Sequence, residues 1–169
     1  TGLRSSEALR LQVQDWDAAQ AVLTVRRSKF GQSRWGPLHP TAAAALRRYL
    51  RRRPASALPA LFLDDHGRPL TYPQVSRWFG ALRQQLGWPQ TPRPRLHDLR
   101  HTFVVRRLAA WYRQGEPMVH QKILSLATYL GHRNVQHTYW YLSATPELIA
   151  LGGARLAKAL AAQKGGRHE

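Results

Sequence analysis

The chain has 169 residues, enough for one domain with a proper core, and its 43% hydrophobic content speaks against disorder. Its 26 Lys+Arg stand against 9 Asp+Glu, a formal net charge of +17, which self-repels unless a polyanion neutralises it; nucleic acid is the first candidate partner and a membrane surface the second. No apolar run approaches the ~20 residues of a membrane span, and the lack of cysteine excludes disulfide frameworks and thiolate metal sites while fitting an intracellular location.

Thr1 opens the chain without a methionine or a signal-type segment, which reads as a fragment cut from a longer protein. Thr1 to Val13 reads as the start of a helix, with Ser5 and Ser6 as caps and Leu9 and Val13 as a core stripe. Arg4 and Glu7 share a face at its positive end; an ordinary exposed ion pair is the plain reading of them. Asp15 to Asp17 look like a turn. Ala21 to Arg27 is a β-prone run, Phe30-Gly31-Gln32 a reversal, and Ser33 to His39 a return strand. Arg26, Arg27, Lys29 and Arg34 then crowd the hairpin tip, a shape suited to a groove. Lys29 is the only lysine in the first 121 residues, and a lysine can give up its proton where an arginine practically cannot. That makes it a general-acid candidate, set against a plainly solvated tip.

Thr41 to Arg53 is expected to be a helix capped by Thr41, with Leu46 and Leu50 inward and Arg47, Arg48, Arg51, Arg52 and Arg53 on a solvated or phosphate-facing side. Pro54 to Pro59 connects it to a short buried Leu61-Phe62-Leu63 and an Asp65-His66-Gly67 turn. Thr71 to Leu86 carries Val75, Phe79 and Leu82 at helical spacing, with Trp78 packing too. After a proline-rich link, Leu96 to Trp111 forms a helix with Leu99, Phe103 and Leu108 as its apolar stripe. His97 and Arg100 are three apart and converge near its start, where a helix N-terminus, a guanidinium and an imidazole make a natural phosphate cradle. His97 and His101 have metal-helix spacing, but the fixed cation of Arg100 beside them opposes zinc; His101 fits a satisfied structural histidine as well.

Gly115 and Pro117 break the chain before a helix over Val119 to Leu130, apolar at Ile123, Leu124, Leu126, Ala127 and Leu130. Gly131 stops it, His132 follows, and Asn134 caps a short helix through Tyr141. On that helix His137 and Tyr141 share a face, whereas Tyr139 and Tyr141 diverge, so one phenol at most faces a given site. Pro146 opens a last helix that Gly152-Gly153 kinks or splits, and residues 164–169 read as a frayed tail.

These segments, in this order, resemble the catalytic domain of tyrosine recombinases, the phage integrase family. Thr-Gly-Leu-Arg-Ser-Ser-Glu (1–7) resembles the first motif, with Arg4 and Glu7. Lys29, followed by Arg34 and Pro37-Leu38, resembles the hairpin lysine; Leu-His-Asp-Leu-Arg-His-Thr-Phe (96–103) the His-x-x-Arg motif of His97 and Arg100. Leu-Gly-His (130–132) supplies His132, and the nucleophile nine positions later falls on Tyr141. Two departures stand out: a longer interval between Arg100 and His132, with Trp111–Met118 as the insertion, and the aromatic Thr-Tyr-Trp-Tyr before the nucleophile.

The resemblance implies a mostly α fold with a small antiparallel β-hairpin or sheet (α+β), spanning 1–169. It also implies that the family's N-terminal DNA-clamping domain and the opening of the catalytic domain are absent. It implies site-specific recombination or integration on double-stranded DNA through a 3′-phosphotyrosine, as for a mobile element, without metal, ATP or small-molecule cofactor. Catalysis would fall to Arg4, Lys29, His97, Arg100, His132 and Tyr141, with Glu7 supporting and Arg26, Arg27, Arg34, His101 and Arg133 as DNA contacts. The whole protein would be a homo-tetramer on DNA in a bacterial cytoplasm. A type IB topoisomerase-like nicking-closing enzyme and an inactive DNA-binding relative are the alternatives; a structural nucleoid or ribosomal protein would explain the charge and not the motifs.

Overall fold

The computed structural model describes residues 1–26 and 33–165, with Lys29 and Arg27 outside them. The chain divides into two compact units: the first runs from Thr1 to Arg100, the second from His101 onward. In the first lie α1 (Ser5–Ala8), a 3-10 turn (Val13–Asp15), β1 (Trp16–Asp17), β2 (Val22–Val25), β3 (Arg34–Pro37), α2 (Pro40–Leu50) and α3 (Tyr72–Gln85). Helix α4 (Leu96–Arg113) begins in this unit and continues into the next, which holds α5 (Val119–Leu130), α6 (Gln136–Ala144) and α7 (Pro146–Gly165). The expected mostly helical architecture with a small antiparallel sheet is what the chain forms.

The sheet has the order β1-β2-β3, both pairs antiparallel, with Leu23 opposite Gly36 and Val25 opposite Arg34. Period-2 alternation turns Leu23 and Val25 inward. Leu23 joins Leu11, Leu46 and Leu61 in the first unit's core, flanked by Leu3, Trp16, Leu38, Tyr49 and Phe62. Tyr49 ties α2 to the neighbouring segment, donating to the Leu61 carbonyl at 3.2 Å and accepting from the Leu63 amide at 2.9 Å.

Several expectations in this unit are corrected. The first helix is four residues long, is N-capped by Arg4 rather than Ser5 or Ser6, and gives way to the 3-10 turn. Val13 is exposed and Leu11 takes the core position, because the chain has left helical spacing by then. Asp15–Asp17 is part of that turn and of β1, not a free reversal. Helix α2 is capped by His39, whose Nδ1 accepts from the Thr41 amide. It ends at Leu50, short of the expected Arg53, and two of the arginines expected on its solvated or phosphate-facing side, Arg47 within it and Arg53 beyond it, serve the protein itself. Arg47 donates to the Ala18 carbonyl at 2.8 Å, and Arg53 donates to the carbonyls of Leu58, Ala60 and Leu61. On α3, Trp78 and Leu82 are exposed, while Arg83 is buried with its guanidinium over Phe79 and a hydrogen bond to the Pro94 carbonyl.

The second unit packs Val104, Leu108 and Ala109 of α4 against Val119, Ile123, Leu126 and Leu130 of α5, with Tyr141 and Leu148. Leu99 is 52% exposed, so the stripe expected through it is wrong. The buried face of α4 runs through positions 100, 104 and 108, and its first member is an arginine. Helix α7 runs through Gly152-Gly153 without interruption. It is held by Arg155, which donates to the carbonyls of Glu116 and Pro117 and lies over the Tyr112 ring. The 111–118 departure is thus pinned by α7 and by the Lys122–Glu116 ion pair.

Candidate DNA-processing site

In the first unit the site is organised by one buried carboxylate. Glu7 sits at the third position of α1, and its Oε2 accepts from the Arg4 amide at 2.9 Å, closing a capping interaction. Its Oε1 accepts from Arg4 Nη1 at 2.9 Å. Arg34 of β3 reaches the same carboxylate with both arms of its fork, Nη1 to Oε1 at 3.1 Å and Nη2 to Oε2 at 2.9 Å. The Glu7 side chain is 1% exposed and that of Arg34 10%. Burial alone would raise the Glu7 pKa. The Arg34 hydrogen bonds, the Arg4 amide, the Arg34 charge and the Arg4 side-chain hydrogen bond outweigh it and bring the carboxyl down to about 2. The exposed surface pair first expected of Arg4 and Glu7 is therefore a buried two-arginine cluster.

Arg100 meets the same segment. It is 4% exposed and donates through Nη1 to the Gly2 carbonyl at 2.6 Å, two residues before Arg4. Gly2 holds φ +62°, a conformation natural to glycine, in this bend. His97 lies one turn earlier on α4 and is exposed. Of the hairpin residues named as DNA contacts, Arg34 is turned inward onto Glu7, and Arg26 pairs with the buried Asp15 while remaining 54% exposed. Lys29 and Arg27 lie outside the described residues.

In the second unit a helix terminus fixes His132. Gly131 ends α5 at φ +66°, and two bonds complete a Schellman closure: the Gly131 amide to the Thr128 carbonyl at 3.0 Å and the His132 amide to the Ala127 carbonyl at 2.9 Å. His132 is the residue just past that closure. Its Nδ1 lies 2.7 Å from Thr138 Oγ1, and Thr138 is fully buried on α6. The N-cap of α6 is Val135 and not the expected Asn134, whose Oδ1 still accepts from the Gln136 amide at 2.9 Å just before the helix.

Tyr141 is on the same inward face of α6, three residues after Thr138, and is 5% exposed. Its ring lies 5.4 Å from that of His101 and 5.4 Å from that of Trp140. His137 does not share this face; it is exposed, because the inward side of α6 passes through Thr138 and Tyr141 instead. Tyr139 diverges as expected, half-buried, with its hydroxyl 3.4 Å from His120 Nδ1. Arg133 is exposed. Sequence reading missed Thr138 as the partner of His132 and underrated His101 as a neighbour of Tyr141. The i+3 spacing of Thr138 before Tyr141 is the signal that carries both. Among the described residues, no cluster of three or more His, Cys, Asp or Glu is arranged to hold a metal ion, and no helix is long and apolar enough to cross a membrane.

Known proteins resemble this chain in sequence and in fold. The model of the phage integrase family matches residues 1–147. The Sinorhizobium fredii protein y4rB, named as an integrase/recombinase, is 41% identical over 92% of this chain and 52% of its own length. Escherichia coli FimE, a type 1 fimbriae regulatory protein, is 30% identical over 88% of the chain and 72% of that protein. Among solved structures, XerA recombinase is similar with a TM-score of 0.69 at 24% identity, covering 89% of this chain and 52% of that one. The Tn1549 transposon integrase bound to transposon right end DNA gives 0.68 at 25% identity, over 93% and 56%. The chain spans about half the length of the first of these curated relatives. With the family's motifs in order and its fold around them, the chain belongs to the phage integrase family.

Proposed function

We propose that the protein containing this chain is a site-specific DNA recombinase or integrase that breaks and rejoins strands through a 3′-phosphotyrosine. Tyr141 attacks a phosphodiester in line; its oxygen bonds to phosphorus as the 5′ oxygen leaves. Arg4 and Arg100 hold the non-bridging oxygens, where charge builds in the pentacoordinate transition state. His97 and His132 donate hydrogen bonds to the phosphate, and one of them takes the phenol proton. Lys29 protonates the leaving 5′ oxygen. The phosphate bond energy is kept in the covalent link, so the 5′-hydroxyl of another strand reverses the step without ATP. The observation that carries this reading is the buried Arg100 guanidinium bonded two residues from Arg4. That bond brings the two motif arginines to one stretch of chain, and the guanidinium fork suits phosphate oxygens.

Because Tyr141 is 5% exposed, the reaction requires α6 to present its phenol when DNA binds. Tyr139 is the second reading, favoured by its greater exposure and its contact with His120. Suicide-substrate trapping with the intact protein separates them. Tyr141→Phe should abolish the detergent-resistant adduct and spare gel-shift binding; an adduct that survives in Tyr141→Phe and disappears in Tyr139→Phe moves the nucleophile. No adduct with the unaltered protein leaves the inactive DNA-binding alternative. Strand exchange between two DNA sites, as against relaxation alone, distinguishes a recombinase from a type IB topoisomerase. Assembly as a tetramer on DNA is part of the same proposal, checked by mass photometry of the loaded complex.

A further inference from the structure

His132 is tied to two helices at once. Its amide closes the end of α5, donating to the Ala127 carbonyl at 2.9 Å, while its ring meets α6 through Nδ1, 2.7 Å from Thr138 Oγ1. Thr138 is fully buried and stands one turn before Tyr141. Serine and threonine hydroxyls in helices often turn back onto a carbonyl of the preceding turn. Those of Ser125, Thr128 and Ser143 do so, at 3.2 Å, 3.2 Å and 3.0 Å. Thr138 turns to the imidazole instead. The Val135 carbonyl behind it already accepts the amides of Thr138 and Tyr139, at 2.7 Å and 3.0 Å, and the Asn134 carbonyl accepts that of His137 at 3.1 Å. Among the described residues, Thr138 Oγ1 has no hydrogen-bond partner other than the ring.

The hydroxyl therefore sets the direction of the bond. A neutral imidazole carries one proton, on Nδ1 or on Nε2. With the proton on Nδ1, the ring would donate to Oγ1, and the hydroxyl would keep a proton with nothing to receive it. A buried donor left unmade is costly, whereas a hydroxyl that donates to a lone pair on Nδ1 is satisfied. We propose that Thr138 is a positioning residue for His132: its hydroxyl donates to Nδ1, holds the ring in the Nε2–H tautomer, and so makes the far pole of the imidazole a hydrogen-bond donor. The tautomer a histidine presents is set by the bond its other nitrogen makes. Thr138 touches neither substrate nor reacting atoms; it acts through His132. The tautomer follows from the Thr138 hydroxyl alone. Its kinetic consequence rests on the phosphotyrosine reading, in which His132 donates to the phosphate.

The tests use the intact protein. Nitrogen-15 NMR without DNA at about pH 8, above the ordinary imidazole range, reads the tautomer directly, with His132→Gln assigning the resonances. Nε2 should resonate as a protonated nitrogen, and Nδ1 as a lone-pair nitrogen coupled to the Thr138 hydroxyl proton. A proton on Nδ1 overturns the proposal, whatever the protein does to DNA. Thr138→Val keeps the shape and removes the hydroxyl. It should abolish that coupling and lower single-turnover cleavage of a suicide substrate on the order of 10-fold, with DNA affinity within about threefold. Thr138→Ser loses the methyl and keeps the hydroxyl, and it should recover both readouts. A role in packing predicts the reverse order, with Thr138→Val intact and Thr138→Ser impaired. Cleavage by Thr138→Val equal to that of the unaltered protein overturns the proposal, and so does a Thr138→Ser protein as slow as Thr138→Val. Absence of any adduct with the unaltered protein refutes the phosphotyrosine reading instead, and the NMR spectrum then decides the question for Thr138.

Discussion

Glu7→Gln isolates the energetics of the buried carboxylate. The amide keeps the shape and removes the charge that Arg34 and Arg4 surround at about 3 Å. The carboxyl titrates at about 2 in the fold against 4.5 as a free side chain, a difference equivalent to about 3 kcal/mol of stability at neutral pH. The folded pKa is depressed, so this stabilisation is complete above about pH 4.5 and is lost as pH falls towards 2. Between about pH 6 and about pH 3 the loss comes to about 2 kcal/mol. Urea unfolding of the chain, followed by tryptophan fluorescence, checks it, since Trp16 packs against the core of the same unit. At about pH 6 the unaltered chain should be about 3 kcal/mol more stable than Glu7→Gln, and at about pH 3 about 1 kcal/mol. Parallel pH profiles for the two chains would refute the reasoning. So would a gap under about 0.5 kcal/mol at neutral pH, the worth of an ordinary surface pair.

The remaining predictions test other parts of the site. Arg100→Lys in the intact protein should cut covalent DNA capture at least about 10²-fold with binding nearly unchanged, because a point charge cannot replace a planar fork; equal cleavage removes Arg100 from the chemistry. Thr138→Val leaves His132 Nδ1 without its 2.7 Å partner and should cost about 1–2 kcal/mol in urea unfolding, whereas Thr138→Ser should be near neutral. Gly131→Ala forces a Cβ into φ +66° and should cost about 1 kcal/mol, read as a lowered thermal midpoint; an unchanged midpoint argues against the Schellman closure.

Much of the molecule was legible because its signals are local. Gly131 ends α5 where a left-handed residue is needed, Pro146 opens α7, and Val-Leu-Thr-Val alternates as a half-buried strand must. The residues Arg4, Glu7, His97, Arg100, His132 and Tyr141 were singled out by resemblance to the family's motifs. Their partners were not. Nothing near Glu7 in sequence announces Arg34, which reaches it across 27 positions because β3 runs antiparallel to β2. Periodicity also misassigned the faces of α4 and α6. Leu99 and Phe103 make as good a stripe as Val104 and Leu108, and only packing selects between them. On α6 the selection brings Thr138 and Tyr141 inward and leaves His137 and Trp140 outside.

The amino-acid order by itself determined a strong positive charge, through an excess of arginine that favours an anionic partner, and the succession of helices and strands, through spacing and turn chemistry. Tertiary structure decided which cations are shared and which carboxylate they share. A hydrogen bond forms where two side chains are brought within about 3 Å. That proximity is set by long-range packing, to which no window along the chain is sensitive.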